Sequence, residues 1–198
     1  MTMEITIKNQ PLEQAEKINI AHVGWGMDTF TPETYAQVVY DETGFTVKFT
    51  VKEKNPQWTA TEHLSLVCND SCVEFFAKFD PEHSDYYVNL EVNPLGTMYA
   101  AFRTDRYNST MLSLEDVKGF HIQAAVEDEY WTITYHIGVE FLQSKYPGFT
   151  MENCKYIMFN MYECGLNNQP EHYLSLFPVG TPSPDFHRPE YFGVMKLV

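Results

Sequence analysis

QVVYDETGFTVKFTVKE, residues 37–53, decides the fold class. Two apolar-rich runs flank Asp41-Glu42-Thr43-Gly44, and the second alternates strictly, with Phe45, Val47, Phe49 and Val51 set against Thr46, Lys48, Thr50 and Lys52. Side chains of an extended chain point to opposite faces in turn, so this run is a strand with one buried side. The Asp and Gly between the runs are turn formers, which makes the stretch a β-hairpin. Working outward, the same signature recurs in SCVEFFAKFD (71–80), YYVNLEVN (86–93), GTMYAAFR (96–103), the hairpin GFHIQAAVEDEYWTITYHIGVE (119–140), CKYIMFNMYEC (154–164) and YFGVMKLV (191–198). In the second hairpin Ile122, Ala124 and Val126 answer Trp131, Ile133, Tyr135 and Ile137. Only VEFLQSKYP (139–147) and the stretch from Leu12 to Lys17 read as short helices. Short strands with Gly, Pro, Asn and Asp between them predict an all-β fold, an antiparallel β-sandwich of the immunoglobulin-like or jelly-roll-like kind or a flattened barrel. At 198 residues, without repeat or linker, the chain is expected to form a single domain over 1–198.

The totals narrow the function. A net charge of −14 removes nucleic acid and anionic membrane as partners, since the chain has little with which to neutralise phosphate. It fits a neutral ligand or a cation such as Ca2+. Aromatic residues make up 15%, which suits a core and ring-facing surfaces alike. No apolar run reaches the length of a membrane span. The first residues, MTMEITIKNQPLEQAEKINIAHV, lack the basic and apolar segments of a signal peptide, so a cytoplasmic location is expected of the sequence as it stands, with secretion the alternative if a leader has been removed. Cys68, Cys72, Cys154 and Cys164 form no CxxC pair, which argues against a structural zinc site and for buried thiols, Cys72 being the most core-like. No GxSxG, HExxH, Walker or dinucleotide signature occurs.

The polar faces carry the functional signal. In YYVNLEVNP (86–94), Tyr86, Val88, Leu90 and Val92 share one face, while Tyr87, Asn89, Glu91 and Asn93 share the other. In the preceding strand Val73, Phe75, Ala77 and Phe79 oppose Cys72, Glu74, Phe76 and Lys78. If the two strands pair, Glu74 joins the row of Asn89, Glu91 and Asn93, and Thr97, Tyr99, Ala101 and Arg103 extend it on the next strand. Planar donors and acceptors among rings are what vicinal hydroxyls require. Two other readings share the row: a polar network that maintains the fold, and a glycoside hydrolase using Glu74 and Glu91 as its carboxylate pair. PSPDFHRPEYFGVMKLV (182–198) sets Phe186, His187 and Arg188 in one turn, a candidate wall, with Tyr162 and His172 expected nearby. The acidic loop FDPEHSD (79–85) is a candidate for Ca2+, though it lacks a recognised calcium spacing. A haem-binding domain would require an axial ligand such as Met98 or His121.

DSCVEFF (70–76), YYVNLEVNPLGT (86–97), NMYECG (160–165) and FHRPEYFG (186–193) occur in the order found in the family 9 carbohydrate-binding modules, which this chain resembles from about Trp25 to Leu197. The resemblance implies a DOMON-like β-sandwich that binds an oligosaccharide or polysaccharide without catalysis, is often joined to a glycoside hydrolase partner, and tends to carry structural Ca2+. It implies a sugar held between two tryptophans. The second falls at Phe186, whereas the first should precede DSCVEFF, where this chain has Leu66-Val67-Cys68-Asn69 and no aromatic. The resemblance matches Glu74 to the acid of the family's VE pair and puts Glu91 where those members use an arginine. The carbohydrate-binding residues expected are therefore Glu74, Asn89, Glu91, Asn93, Arg103, Phe186, His187 and Arg188.

Overall fold

The computed structural model describes residues 3–25, 30–168 and 170–198. Its strands are β1 (Glu4–Ile7), β2 (Ile18–Asn19), β3 (His22–Trp25), β4 (Glu33–Asp41), β5 (Gly44–Lys52), β6 (Ser71–Lys78), β7 (Tyr87–Val92), β8 (Met98–Arg103), β9 (Ser109–Met111), β10 (Gln123–Val126), β11 (Trp131–Gly138), β12 (Tyr156–Gly165), β13 (His172–Ser175) and β14 (Gly193–Leu197). One sheet runs β1-β14-β12-β6-β7-β8-β9, with β13 also on β12 and β3 on β13. The other runs β10-β11-β5-β4-β2.

The hairpin at 37–53 forms as its sequence directs. Asp41 pairs with Gly44 across the turn, and the Asp41 carboxylate accepts from the backbone N–H and hydroxyl of Thr43. Gly44 has φ +141°, and a Cβ there would meet the Ile137 carbonyl oxygen at 2.1 Å, so only glycine fits. Its apolar face, Phe45, Val47, Phe49 and Val51, is fully buried against Val73, Phe75 and Ala77 of β6 and Val88, Leu90 and Val92 of β7. That interleaved layer is the core of a β-sandwich.

Three details depart from the sequence reading. β1 runs parallel to β14, so the large sheet is not wholly antiparallel: the N-terminal strand adds to the edge that the C-terminal strand leaves open. β10 pairs with β11 in the expected register, Ala124 with Ile133 and Val126 with Trp131, yet all four of its residues are exposed because it is the edge strand of the smaller sheet. A helix over Leu114–Gly119 joins the expected one at Val139–Lys145, while the N-terminal stretch makes one 3-10 turn at Leu12–Gln14. The missed helix starts with a capping box in which Ser113 and Asp116 exchange side-chain and backbone hydrogen bonds.

The large sheet is covered on its outer side as well. Cys72, Phe76, Tyr87, Tyr162 and Cys164 point away from the sandwich core and are buried with Val67, Val179, Phe186 and Phe192 in a second apolar cluster. The segment between β13 and β14 makes this cover. Asn160 anchors it by accepting from the Phe177 N–H and donating to the Phe177 carbonyl, both at 3.0 Å. Tyr162 Oη donates to the Phe186 carbonyl at 3.2 Å. Glu53 is also buried and links β6 to β11, accepting from Ser71 Oγ and from the Trp131 indole.

Burial also traps an acid and an imidazole. His172 Nε2 lies 2.9 Å from Glu163 Oε1, with both side chains at most 2% exposed. Burial pushes the Glu163 carboxyl up to about 7, and Glu163 raises the His172 imidazole despite the opposing effect of burial. A buried acid raised this way keeps its proton in the folded chain and loses it in the unfolded one, so stability falls as pH climbs from 4.5 to about 7. The raised imidazole acts in the same direction, its contribution being lost as pH rises through its folded value. The melting temperature should therefore be higher at about pH 5 than at about pH 8, and Glu163→Gln should flatten that slope. A melting temperature that rises across the interval would refute the assignment.

Candidate functional site

β6 and β7 pair so that Glu74 stands directly opposite Glu91, and Tyr162 of β12 and Tyr99 of β8 complete the same row. The strand pairing on which the sequence reading is conditional is thus present, and it places two acids side by side. Glu74 is 3% exposed and Glu91 5%. Like charges directly opposite one another on neighbouring strands repel, and burial strips them of water. Burial, with the charge of Glu91 behind it, pushes the Glu74 carboxyl well above the usual range; burial alone raises Glu91 against the opposing bond from Asn89. The pair therefore retains a proton where exposed carboxylates have lost theirs. Asn89 Nδ2 donates to Glu91 Oε1 at 3.0 Å, and the Cys164 thiol donates to Glu74 Oε1 at 3.3 Å.

Both acids line a cavity of about 350 Å3 between the outer face of the large sheet and the covering segment, within the size range of small-ligand sites. Phe186 and His187 line it from the cover, Cys68 and Tyr173 from the sides. Phe186 lies flat on Tyr162, with ring centroids 4.1 Å apart and planes 15° apart. Trp25 and Tyr173 meet at 6.0 Å edge to face, and Trp25 approaches Phe186 at 5.5 Å. The Trp25 indole is fixed by donating to the Thr181 carbonyl at 2.7 Å. These rings make an aromatic corner beside the acids.

His187 is stacked on Phe76, its Nδ1 receiving the Tyr87 hydroxyl at 3.2 Å and lying 3.5 Å from Arg103 Nη1. Two donors face Nδ1, so the network assigns the ring proton to Nε2. Burial, then Arg103 and Arg106, hold the imidazole down to about 3, so His187 is neutral. Arg103 also donates to Tyr99 Oη and to the Arg106 carbonyl.

The eight residues expected from sequence thus divide. Glu74, Glu91, Phe186 and His187 line the cavity together. Asn89 and Arg103 are buried beside it and hold Glu91 and His187. Asn93 is elsewhere: it accepts from the Leu95 and Thr97 N–H groups and donates to Ala60 O and Asp70 Oδ2, locking the turn after β7. Arg188 is not brought to the wall either, because it turns outward to Glu190 at 2.6 Å. Phe186 is only 9% exposed, not the free-standing ring a clamp suggests, because the Tyr162 stack takes one of its faces. His172 is spent on Glu163. Cys68, Arg106, Cys164, Tyr173 and Asp185 are cavity residues that sequence reasoning did not single out. Asp185 and Tyr173 sat in stretches already marked by their neighbours, whereas nothing in the spacing marks Cys68 or Arg106.

The loop at 79–85 does not assemble a calcium cage. Asp80 is engaged by the His83 ring at 2.7 Å, and Asp85 is 96% exposed with Lys78 at 3.7 Å. Ca2+ asks for about six to eight converging oxygens. The one group of three His, Cys, Asp or Glu ligand atoms found among the described residues is Cys72, Glu74 and Cys164, within 4.8 Å of one another. Burial pushes the Cys72 thiol up to about 12, so these sulfurs are protonated, as the buried thiols expected from sequence should be. Met98 is sealed in the sandwich core, where no haem could reach it.

Solved structures share this architecture. A protein from Bacteroides uniformis described as carbohydrate-binding aligns over 100% of both chains with a TM-score of 0.85 and 21% identity. A family 9 carbohydrate-binding module from Caldicellulosiruptor kristjanssonii in complex with cellotriose aligns over 98% of this chain and 93% of its own, with a TM-score of 0.68 and 12% identity. The same kind of module from that organism in complex with glucose gives 0.68 and 13%, over 99% and 96%. At such identities the likeness establishes the β-sandwich fold. A search among curated proteins finds no match. The family model described as Carbohydrate-binding family 9 matches residues 7–197, nearly the whole chain, and the protein therefore belongs to that family of non-catalytic modules.

Proposed function

We propose that the chain binds carbohydrate, without catalysis, in the cavity between the outer face of the large sheet and the segment that covers it. The observation that carries this reading is the meeting of an aromatic corner with a buried polar pair in one cavity. Aliphatic CH groups on a sugar ring cover apolar ring surface and exclude water, while hydroxyls need partners that both accept and donate. A carboxyl pair that retains a proton does both, and the Nε2–H of a neutral His187 adds a donor. Cellotriose and glucose are the ligands of the similar modules and are the natural first probes. A glycoside hydrolase is the enzyme class such a module would serve as a partner.

Hydrolysis by the chain itself is not supported. A glycosidase sets its carboxyls on two sides of the scissile bond, about 5 to 9 Å apart. Glu74 and Glu91 project from one sheet face rather than from two sides of a cleft, and burial raises both, so neither is a ready nucleophile.

Calorimetric titration with cellotriose and glucose should show saturable binding, and aryl-glycosides should not be turned over. Turnover abolished in both Glu74→Gln and Glu91→Gln would make the protein a glycosidase instead. Phe186→Ala should weaken sugar binding and also lower folding stability by about 3 kcal/mol, since it empties a largely buried ring site. Unchanged affinity together with that stability loss would confine Phe186 to holding the cover in place.

A further inference from the structure

We propose that the ligand group held against Glu74 and Glu91 is a protonated amine, so that the site takes an amino sugar in preference to a neutral one; this rests on the sugar-binding reading above. The pair is under-supplied with donors. Each acid receives one hydrogen bond, both on Oε1, from Cys164 and from Asn89. Among the described residues neither Oε2 has a hydrogen-bond partner, although both side chains are at least nine-tenths buried and line the cavity.

The cations nearby reach the pair by charge alone and hydrogen-bond other groups, with Arg103 Nε buried and without a partner among the described residues. Arg103 directs its hydrogen bonds to Tyr99, the Arg106 carbonyl and His187, and Arg106 pairs with Asp185 at 3.1 Å. From the remaining elements, Glu171 and Asp185 add two further carboxyls, while His187 is held neutral. Four carboxyls therefore face two guanidiniums, and neither guanidinium hydrogen-bonds the pair.

Buried acids are stabilised by a counter-charge that also donates hydrogen bonds. An ammonium supplies one positive charge and three donors, enough to bridge two carboxylates on adjacent strands. A sugar hydroxyl supplies one donor and no charge, so it leaves the pair to keep its proton. Binding of the amine should therefore release that proton to solvent, giving a carboxylate pair bridged by R–NH3+.

The test is calorimetric titration of the intact chain with D-glucosamine, D-glucose and N-acetyl-D-glucosamine at about pH 6, where a sugar amine is protonated, repeated in two buffers of different ionisation enthalpy to count protons. Glucosamine should bind at least about tenfold more tightly than the other two, which share its ring but carry no charge, and it alone should release protons. In Glu91→Gln and in Glu74→Gln the ratio of glucosamine to glucose affinity should fall towards one. Glucose binding as tightly as glucosamine, with no proton release, overturns the amine proposal and leaves the sugar site standing. Absence of saturable binding by all three, and by cellotriose, overturns both.

Discussion

β7 is buried on both of its faces, and the rest of the structure answers to that. An antiparallel sheet usually keeps one side wet and can place its polar residues there. Here Val88, Leu90 and Val92 face the sandwich core while Tyr87, Asn89 and Glu91 lie beneath a second apolar layer, all six at most 5% exposed. Every polar atom on the outer face must find a partner inside the protein or in a ligand. The segment between β13 and β14 exists to close that face, and Asn160, Tyr162 and His187 tie it down.

This constraint explains why the site is small and strongly polar at its base. The cover leaves a cavity over Glu74 and Glu91 unfilled, with Tyr173 and Phe186 lining it and Trp25 packed on both of those rings. Two acids that repelled each other in water would separate, but register across β6 and β7 forbids it. They relieve the repulsion by protonation or by a cation, and either solution makes the pair a recognition element. His187 illustrates the opposite case. Arg103 and the Tyr87 hydroxyl occupy Nδ1, so the imidazole cannot take a second proton, and its remaining N–H is directed by the network instead of by pH.

Much of this was legible in the chain. Strict alternation at 45–52 and the apolar row of Val73, Phe75, Ala77 and Phe79 identified strands and the faces turned to the sandwich core, because side-chain direction in a strand depends only on parity. The Asp41–Gly44 turn was equally local. Glu74 and Glu91 could be placed on one face, and the motif order from Asp70 to Gly193 pointed to the correct family. Phe186 and His187 were singled out because they crowd one turn, and both line the cavity. Other polar residues misled for a shared reason: Asn93 and Arg188 have side chains that a surface would also use, and the choice between ligand and local partner lies in neighbours such as Asp70 and Glu190 that sequence spacing does not connect.

The sequence by itself thus determined the longer strands, the sandwich class and the identity of the polar face, since each follows from period-two patterning and turn chemistry over a few residues, whereas β1, β2, β3, β9 and β13 carry too few residues for such a pattern. Only the tertiary structure decided that the polar face is covered. That outcome depends on the segment after β13 returning across the sheet, with Phe186 settling on Tyr162 and His187 on Phe76. It also brought Cys68, Arg106 and Tyr173 to one cavity from three distant segments, and it turned two ordinary acids into a desolvated pair. Desolvation and long-range contact are properties of the assembled sheet and its cover, so no local pattern in the chain could carry them.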